Sequence, residues 1–385
     1  MKNIFDVAFR EFKLVIKDSD LFLIIVLAPL FYTALYGSFY MDKLERKAPV
    51  VVIDEDNSLL SKEFVFKCDA HPMLQVTDRT TDFEAAKQLL YKEEIYGIIY
   101  LPKDFEKNFK QMKGTTVRLY LNNARFMISN DINRAVNEIK FSYDAKNTIE
   151  LYERSGMPYE QAKNNAEPFQ FEFRNIFNAA ETYGKFLIPA VLLLVLQQVM
   201  LFGMGQSVSK EREEGTLVHA WHVSGNNVFK LLFGKIVLYW LSFTFLAFAS
   251  LMVVINWFGI QFAGNVVFFV AVLLLFFFTM SVFALTLSTF FKKKVYAFVI
   301  LSATSYPFFL MSGYAWPHEA TPLIIKMISY LIPGTPLMLM LPKIFHSSVA
   351  IANISGPIIC LLIQAVVYTI FAGMRLHVLT KPANN

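Results

Sequence analysis

The chain has 385 residues, of which 55% are hydrophobic, 16% aromatic and only 17% charged, with a formal net charge of +5. Soluble domains carry about 25% charged residues; the shortfall here, with the apolar residues gathered in long blocks, argues for a bilayer as the solvent of much of the chain. The basic residues sit beside those blocks, which argues for membrane topology and against nucleic acid as a partner. The two cysteines, Cys68 and Cys360, lie in different regions, so neither a disulfide framework nor a cysteine metal site can be built from them.

Residues 1–20 read as an amphipathic helix: Lys2, Asp6, Arg10, Lys13 and Lys17 form a narrow polar stripe, with Phe5, Phe9, Phe12 and Ile16 on an adjoining face. Such a helix beside a span lies in the headgroup plane or packs on a soluble partner; both alternatives keep it cytoplasmic. Residues 21–40 are the first span, of about 30 Å at helical rise, and Pro29 is expected to kink it. It reads as a retained span, because no small-residue cleavage site follows it.

Residues 41–180 change character. Strands are expected at 48–54, 96–102 and 115–122, and a helix at 81–94 capped by Thr81 or Asp82. A short helix follows Asp104, and 124–165 is helical with a break near Gly156 and Pro158. This polar α/β insert is large enough for its own core.

Further spans are predicted at about 184–206, 229–257, 265–290, 295–314 and 355–376, making six. The segment 315–350 holds five prolines among short apolar pieces and reads as re-entrant. Basic residues mark the N-terminal arm, the 207–228 loop, the 291–294 turn and the tail, so both termini and those loops are predicted to be cytoplasmic. The fold class is therefore an α-helical, multi-pass integral membrane protein with six transmembrane helices and an inserted extracytoplasmic α/β domain. Its expected divisions are 1–20, 21–40, 41–180 and 181–385.

The stretch SKEREEGTLVHAWHVSGNNVFKLLFGK, from Ser209 to Lys235, is short and dense in charge. Gly215 permits a helix break, Thr216 is positioned to cap a new helix, and Trp221 supplies an apolar anchor. The stretch resembles the loop between the second and third spans in permease subunits of type-2 ABC exporters of the large-insert branch. The matching residues are Glu211, Glu213, Gly215, Thr216, Leu217, Ser224, Gly234 and Lys235; Gly225 and His219 depart from the usual proline and aliphatic residue. The resemblance extends over the whole chain, with Gly97 to Pro102 followed by Asp104-Phe105 in the insert, and Ser312-Gly313, Trp316-Pro317, Pro322 and Pro333 in the outer re-entrant loop.

The resemblance implies a coupling helix that docks on a separate ABC ATPase, through Glu211, Glu213, Glu214, Gly215, Thr216, Leu217 and Trp221. It implies a second permease copy or paralogue, a periplasmic adaptor as a further partner, surrounding membrane lipids, and a place in a bacterial cytoplasmic (inner) membrane. The cargo it implies is amphiphilic or lipophilic. ATP and magnesium belong to the partner; this chain is expected to bind no cofactor.

Independent of the resemblance, the chain has no G-x-x-x-x-G-K-[ST] phosphate cradle, so it reads as a transporter subunit and not an enzyme. No Asp, Glu, Lys or Arg is expected well inside the six blocks, which weighs against ion-coupled transport. Gln197 and Gln198 are the notable polar pair in the second span, lining a path or bonding across a dimer interface. His219 and His222, His318-Glu319, and the acidic turn Asp54–Asp56 all fall short of metal sites. An ATPase-independent receptor or cell-surface factor of the same architecture is the alternative.

Overall fold

The computed structural model describes residues 2–39, 47–111, 113–166, 183–258, 262–314, 316–346 and 351–380. The chain divides into two compact units, one of Asp42–Phe173 and one of the residues on either side of it.

The larger unit opens with α1, Lys2–Lys17. Val7, Glu11 and Val15 recur every four residues and are buried, while Phe5, Phe9, Phe12 and Ile16 are exposed. The bulky apolar stripe thus faces away from the protein, and a thinner stripe centred on Glu11 faces in. After α2 (Ser19–Phe22) the chain makes a π-turn over Leu23–Leu27 and continues as α3, Ala28–Phe39. The π-turn is the physical answer to Pro29. A proline ring clashes with the carbonyl four residues back, and widening the preceding turn, with the Ala28 amide donating to the Leu23 carbonyl, relieves the clash.

The smaller unit carries β1 (Ala48–Asp54), α4 (Leu59–Ala70), β2 (Leu74–Thr80), α5 (Phe83–Tyr91), β3 (Gly97–Leu101), α6 (Phe105–Lys110), β4 (Arg118–Leu121), α7 (Phe126–Arg154) and α8 (Tyr159–Ala166). The sheet order is β2-β1-β3-β4, with β1 parallel to both neighbours and β4 antiparallel to β3. Central β1 is buried on both faces: Val50 and Val52 pack with Phe64, Ile132 and Ala135, and Val51 and Ile53 pack with Ala86 and Ile98. Three expected strands are present, whereas β2 was not expected. Its sequence, LQVTDRT, is mostly polar because it is an edge strand with exposed side chains. The cap of α5 is Asp82, whose carboxylate accepts from the Ala85 amide at 3.1 Å.

The acidic turn has a structural role. Asp54 Oδ1 accepts from the Asn57 amide and Asp54 Oδ2 from Ser61 Oγ. Asp56 accepts from the amides of Phe105 and Glu106, each at 3.1 Å, and so caps α6 from 49 residues away in the chain. Asp104, the residue in the cap position, has φ 58° and makes no side-chain cap. Removing a cap costs about 0.5–2 kcal/mol. Asp56→Ala should therefore speed hydrogen exchange in α6 and leave the exchange of the helix Ser355–Thr380 unchanged; equal effects on both would refute the cap.

The larger unit resumes with α9 (Tyr183–Gly205), α10 (Ser207–Glu213), α11 (Leu217–Val223), α12 (Val228–Phe258), α13 (Val266–Ser288), α14 (Lys294–Ala303), α15 (Ser305–Met311), α16 (Leu323–Ser329), α17 (Gly334–His346) and α18 (Ser355–Thr380). Its interior is built from Leu193, Met200, Ile236, Phe243, Phe276, Phe277 and Leu341 among others. Among the described residues, five stretches are long and apolar enough to cross a membrane: Phe186–Glu213, Val228–Trp257, Val266–Ser288, Lys294–Met311 and Ala352–Thr380. A sixth arises if α16 and α17, bent by 87° at Pro333, count as one broken span. The apolar helix Leu23–Ser38, in the predicted first span, is shorter.

Candidate functional site

The loop between α9 and α12 folds into a helical hairpin. At the start of α10 the amides of Val208 and Ser209 donate to Ser288 Oγ at 2.9 and 3.2 Å, so two otherwise unpaired helix-start amides find a partner on α13. At its end Gly215 takes φ +71°, and the Thr216 amide reaches back to the Glu211 carbonyl at 2.9 Å. That is the left-handed stop that glycine makes cheaply. Thr216 makes no side-chain cap, a correction to the sequence reading: the glycine turn already positions the start of α11. Gly225, where the resemblance leads one to expect proline, ends α11 at φ +68°, a conformation closed to proline.

On one side α10 grips the turn between α13 and α14. Arg212 donates to the carbonyls of Thr289 and Phe291 at 3.0 and 2.9 Å, and Glu213 accepts from the Lys294 amide at 2.9 Å. On the other side it meets α1 through Ser207, Lys210 and Glu211, which share a helix face at spacings of three and four. Ser207 Oγ donates to Glu11 at 3.2 Å, Lys210 pairs with Asp18 at 2.5 Å, and Glu211 pairs with Arg10. Burial works against ionised Asp18, but the donated hydrogen bonds from Lys210 and the Leu21 amide prevail and hold its carboxyl below the ordinary range.

Between α1, α10 and α12 sits Lys235, 0% exposed. Its ammonium lies 2.6 Å from Glu11, 2.7 Å from Glu211 and 3.1 Å from Ser207 Oγ. Glu11 and Glu211 are 3% and 2% exposed. Two cations, Arg10 and Lys235, thus balance two carboxylates, which is the condition for burying charges that each cost several kcal/mol alone. The expectation of spans without charge fails at this point: Lys235 lies seven residues into the block 229–257. Gly234 makes the approach possible, because a Cβ there would stand 2.5 Å from Val7 Cβ and 3.1 Å from the Ile4 carbonyl. The Gly-Lys pair therefore has two physical jobs, close crossing by α1 and a buried charge.

The predicted coupling residues separate into two sets. Glu213, Glu214 and Gly215 are exposed and Thr216 half-buried, beside exposed Val218, His219 and His222. Glu211 and Leu217 are buried, and Trp221 packs behind the hairpin with Val7 and Leu231. Arg10, Glu11 and Asp18 were not singled out as site residues, since their partners come from more than 190 positions away.

Gln198 donates to the Leu301 carbonyl at 2.9 Å, tying α9 to α14. Gln197 is buried against Gly334, where a Cβ would come within 2.2 Å of its Oε1. Both line a groove of about 710 Å³ between α3, α9, α14 and α15, with Tyr32, Tyr36, Ser305 and Tyr306. None of the groove's lining side chains is charged.

In the outer segment Gly313, at φ +82°, packs on His318 and Leu339. Pro317 and Pro322 precede short helices, and Pro333 stands at the α16–α17 bend. His318 is buried, 3.1 Å from Ser329 Oγ and edge-on to Tyr330. Burial, aided by Lys326 and opposed by Glu319, lowers its titration below the usual 6.5. A histidine lowered on folding stabilises the neutral form, so stability is lost as pH falls below about 6.5 toward the folded value. Hydrogen exchange over 313–332 should therefore quicken at pH 5.5 relative to 7.5, corrected for intrinsic rates. His318→Phe should abolish the difference; persistence in that variant would assign the effect elsewhere. Among the described residues no group of His, Cys, Asp and Glu is arranged to hold a metal.

The family model described as "ABC-2 family transporter protein" matches residues 20–373. The chain is 22% identical over 286 residues, 74% of each chain, to "Probable multidrug ABC transporter permease YbhR" of Escherichia coli (strain K12). It is 27% identical over 113 residues, 29% of each chain, to "Linearmycin resistance permease protein LnrN" of Bacillus subtilis (strain 168).

Proposed function

Since this chain belongs to the ABC-2 family of transporter proteins, we propose that it is the membrane permease of an exporter, driven by a separate ABC ATPase that docks on the α10–α11 hairpin. One observation carries the reading: the hairpin exposes Glu213, Glu214, Val218, His219 and His222 while its rear is anchored to three other parts of the helical unit. A surface helix of seven residues has little stability of its own, so such anchoring suits a part that must carry force. In this reading Glu213, Glu214, Gly215, Thr216, Val218 and His222 meet the ATPase, and Glu211, Leu217 and Trp221 hold the hairpin's shape.

The chain then crosses a bacterial cytoplasmic membrane six times, Ser19–Phe39 being the first crossing, with both termini inside and Asp42–Phe173 outside. The exposed Phe5, Phe9, Phe12 and Ile16 of α1 lie in the headgroup layer. Two permease copies, or this chain and a paralogue, enclose the path. The uncharged groove beside Gln197 and Gln198, with its aromatic and hydroxyl lining, favours an amphiphilic cargo over an ion. That the relatives are named for multidrug and linearmycin-resistance permeases agrees with such a cargo.

Capture of the tagged chain from detergent, with the co-purifying proteins identified, tests the reading. A P-loop ATPase should accompany the wild type and be lost from the Val218→Asp, His222→Asp double variant, whose thermal unfolding should be unchanged because both side chains are exposed. Absence of an ATPase from the wild type, with the chain folded, would overturn it.

A further inference from the structure

Resting on the proposed ATPase docking, we propose that α10 is a distribution hub, and that Lys235 is the positioning residue that makes α1 a driven part, carrying the hairpin's displacement into the first span. The arrangement of bonds supports this. Helix α10 leaves α9 by the chain itself, so any displacement of the hairpin reaches that span directly. Arg212 and Glu213 hold the turn leading into α14. Ser207 and Glu211 hold α1 near Arg10, and Lys210 holds Asp18, the residue that follows α1. Asp18 stands at the junction from which α2, the π-turn and α3 continue.

The links to α1 differ in kind from those to the turn. The turn is held by hydrogen bonds to backbone groups, and exposed Glu213 can exchange its bond for water. Beside the half-buried Lys210–Asp18 pair, the α1 links include a cluster with no water to turn to, because Lys235, Glu11 and Glu211 are all buried. Separating α1 from α10 would break the pair between Arg10 and Glu211 and take either Glu11 or Glu211 away from the Lys235 ammonium that they share. That penalty keeps α1, α10 and the start of α12 together through any displacement smaller than local unfolding. The apolar stripe of α1, exposed and facing away from α10, leaves the helix free to slide as one piece with its neighbours.

The test uses the full chain with its captured ATPase in sealed lipid vesicles. Spin labels are placed at exposed positions 12 on α1 and 292 on the turn, outside the proposed docking face, with Cys68 and Cys360 replaced by serine. With or without trapped nucleotide, labelled wild-type chains diluted with unlabelled copies should give one narrow distance distribution, since α10 clamps both elements. Lys235→Met should split or broaden it and lower the amount of a fluorescent amphiphilic dye moved across the vesicle membrane per ATP hydrolysed by about tenfold or more. Lys235→Arg should restore most of both readouts.

A wild-type distance that changes when nucleotide is trapped, with the ATPase still bound, would overturn the proposal and needs no variant to read. So would a Lys235→Met protein that keeps the narrow distribution and the wild-type ratio. Failure of the wild type to retain any ATPase is a different result and overturns the function proposed above. Should Lys235→Met not fold, Glu11→Gln, which removes one carboxylate and keeps the hub's shape, reads the same distance.

Discussion

Glu211→Ala is expected to destabilise the folded protein, and Glu213→Ala, two residues on, to leave folding intact while weakening ATPase capture. The two glutamates look alike in the sequence and both match the family loop. They differ in surroundings: Glu211 is 2% exposed between Lys235 and Arg10, while Glu213 is exposed and accepts one bond from the Lys294 amide. Removing one partner of a buried ion cluster costs about 3–5 kcal/mol, because the remaining charge stays buried without compensation. Loss of a single exposed hydrogen bond costs about 1 kcal/mol. Thermal unfolding in detergent should therefore fall clearly for Glu211→Ala and little for Glu213→Ala, with the order reversed for ATPase capture per folded molecule. Equal unfolding temperatures would mean that the buried cluster contributes no net stability.

Gly234→Ala should be nearly as damaging, although it adds one methyl group. That methyl would stand 2.5 and 2.7 Å from Val7 Cβ and Cγ1 and 3.1 Å from the Ile4 carbonyl. Val7 is fully buried and the carbonyl is backbone, so the neighbours cannot yield as a flexible side-chain tip would. Helix α1 must move out, and the 2.6 Å contact between Lys235 and Glu11 lengthens with it. Overpacking alone costs about 1–3 kcal/mol, and the stretched cluster adds to it. Moving the gap to the other helix checks the cause: Val7→Gly combined with Gly234→Ala should recover part of the stability, less the ~1 kcal/mol that glycine costs inside a helix. If the double variant is no better than the single, the close crossing is not what makes Gly234 necessary.

The two substitutions share a logic that the contact pattern supplies. In the proposed function, a hairpin that met the ATPase alone would transmit force only along α9. Tied to α1 by charges and to the α13–α14 turn by backbone bonds, it reaches helices that enter the membrane region at separate points. The cost is paid in buried charge, and the balanced composition of the cluster, with two cations and two carboxylates, keeps that cost tolerable.

Much of this was legible from residue order. Length and hydropathy place the five long apolar helices, since a run of about twenty apolar residues has few other solutions. Alternation and buried runs place β1, β3 and β4, and Gly215 marks the turn between α10 and α11. Edge strand β2 escaped because its polar side chains carry no burial signal, and the π-turn escaped because Pro29 announces strain without saying how the helix relieves it. The cap of α6 by Asp56 and the partners of Lys235 could not be read at all. Asp56 meets α6 from 49 positions away, and Lys235 meets Ser207 and Glu11 from 28 and 224. What the sequence determines here is whatever rests on local periodicity and on solvent preference, because those act over a few residues. What only the tertiary structure decides is which charge is buried and which is exposed, since the energy of a charge depends on its distance to partners that the chain's order does not state.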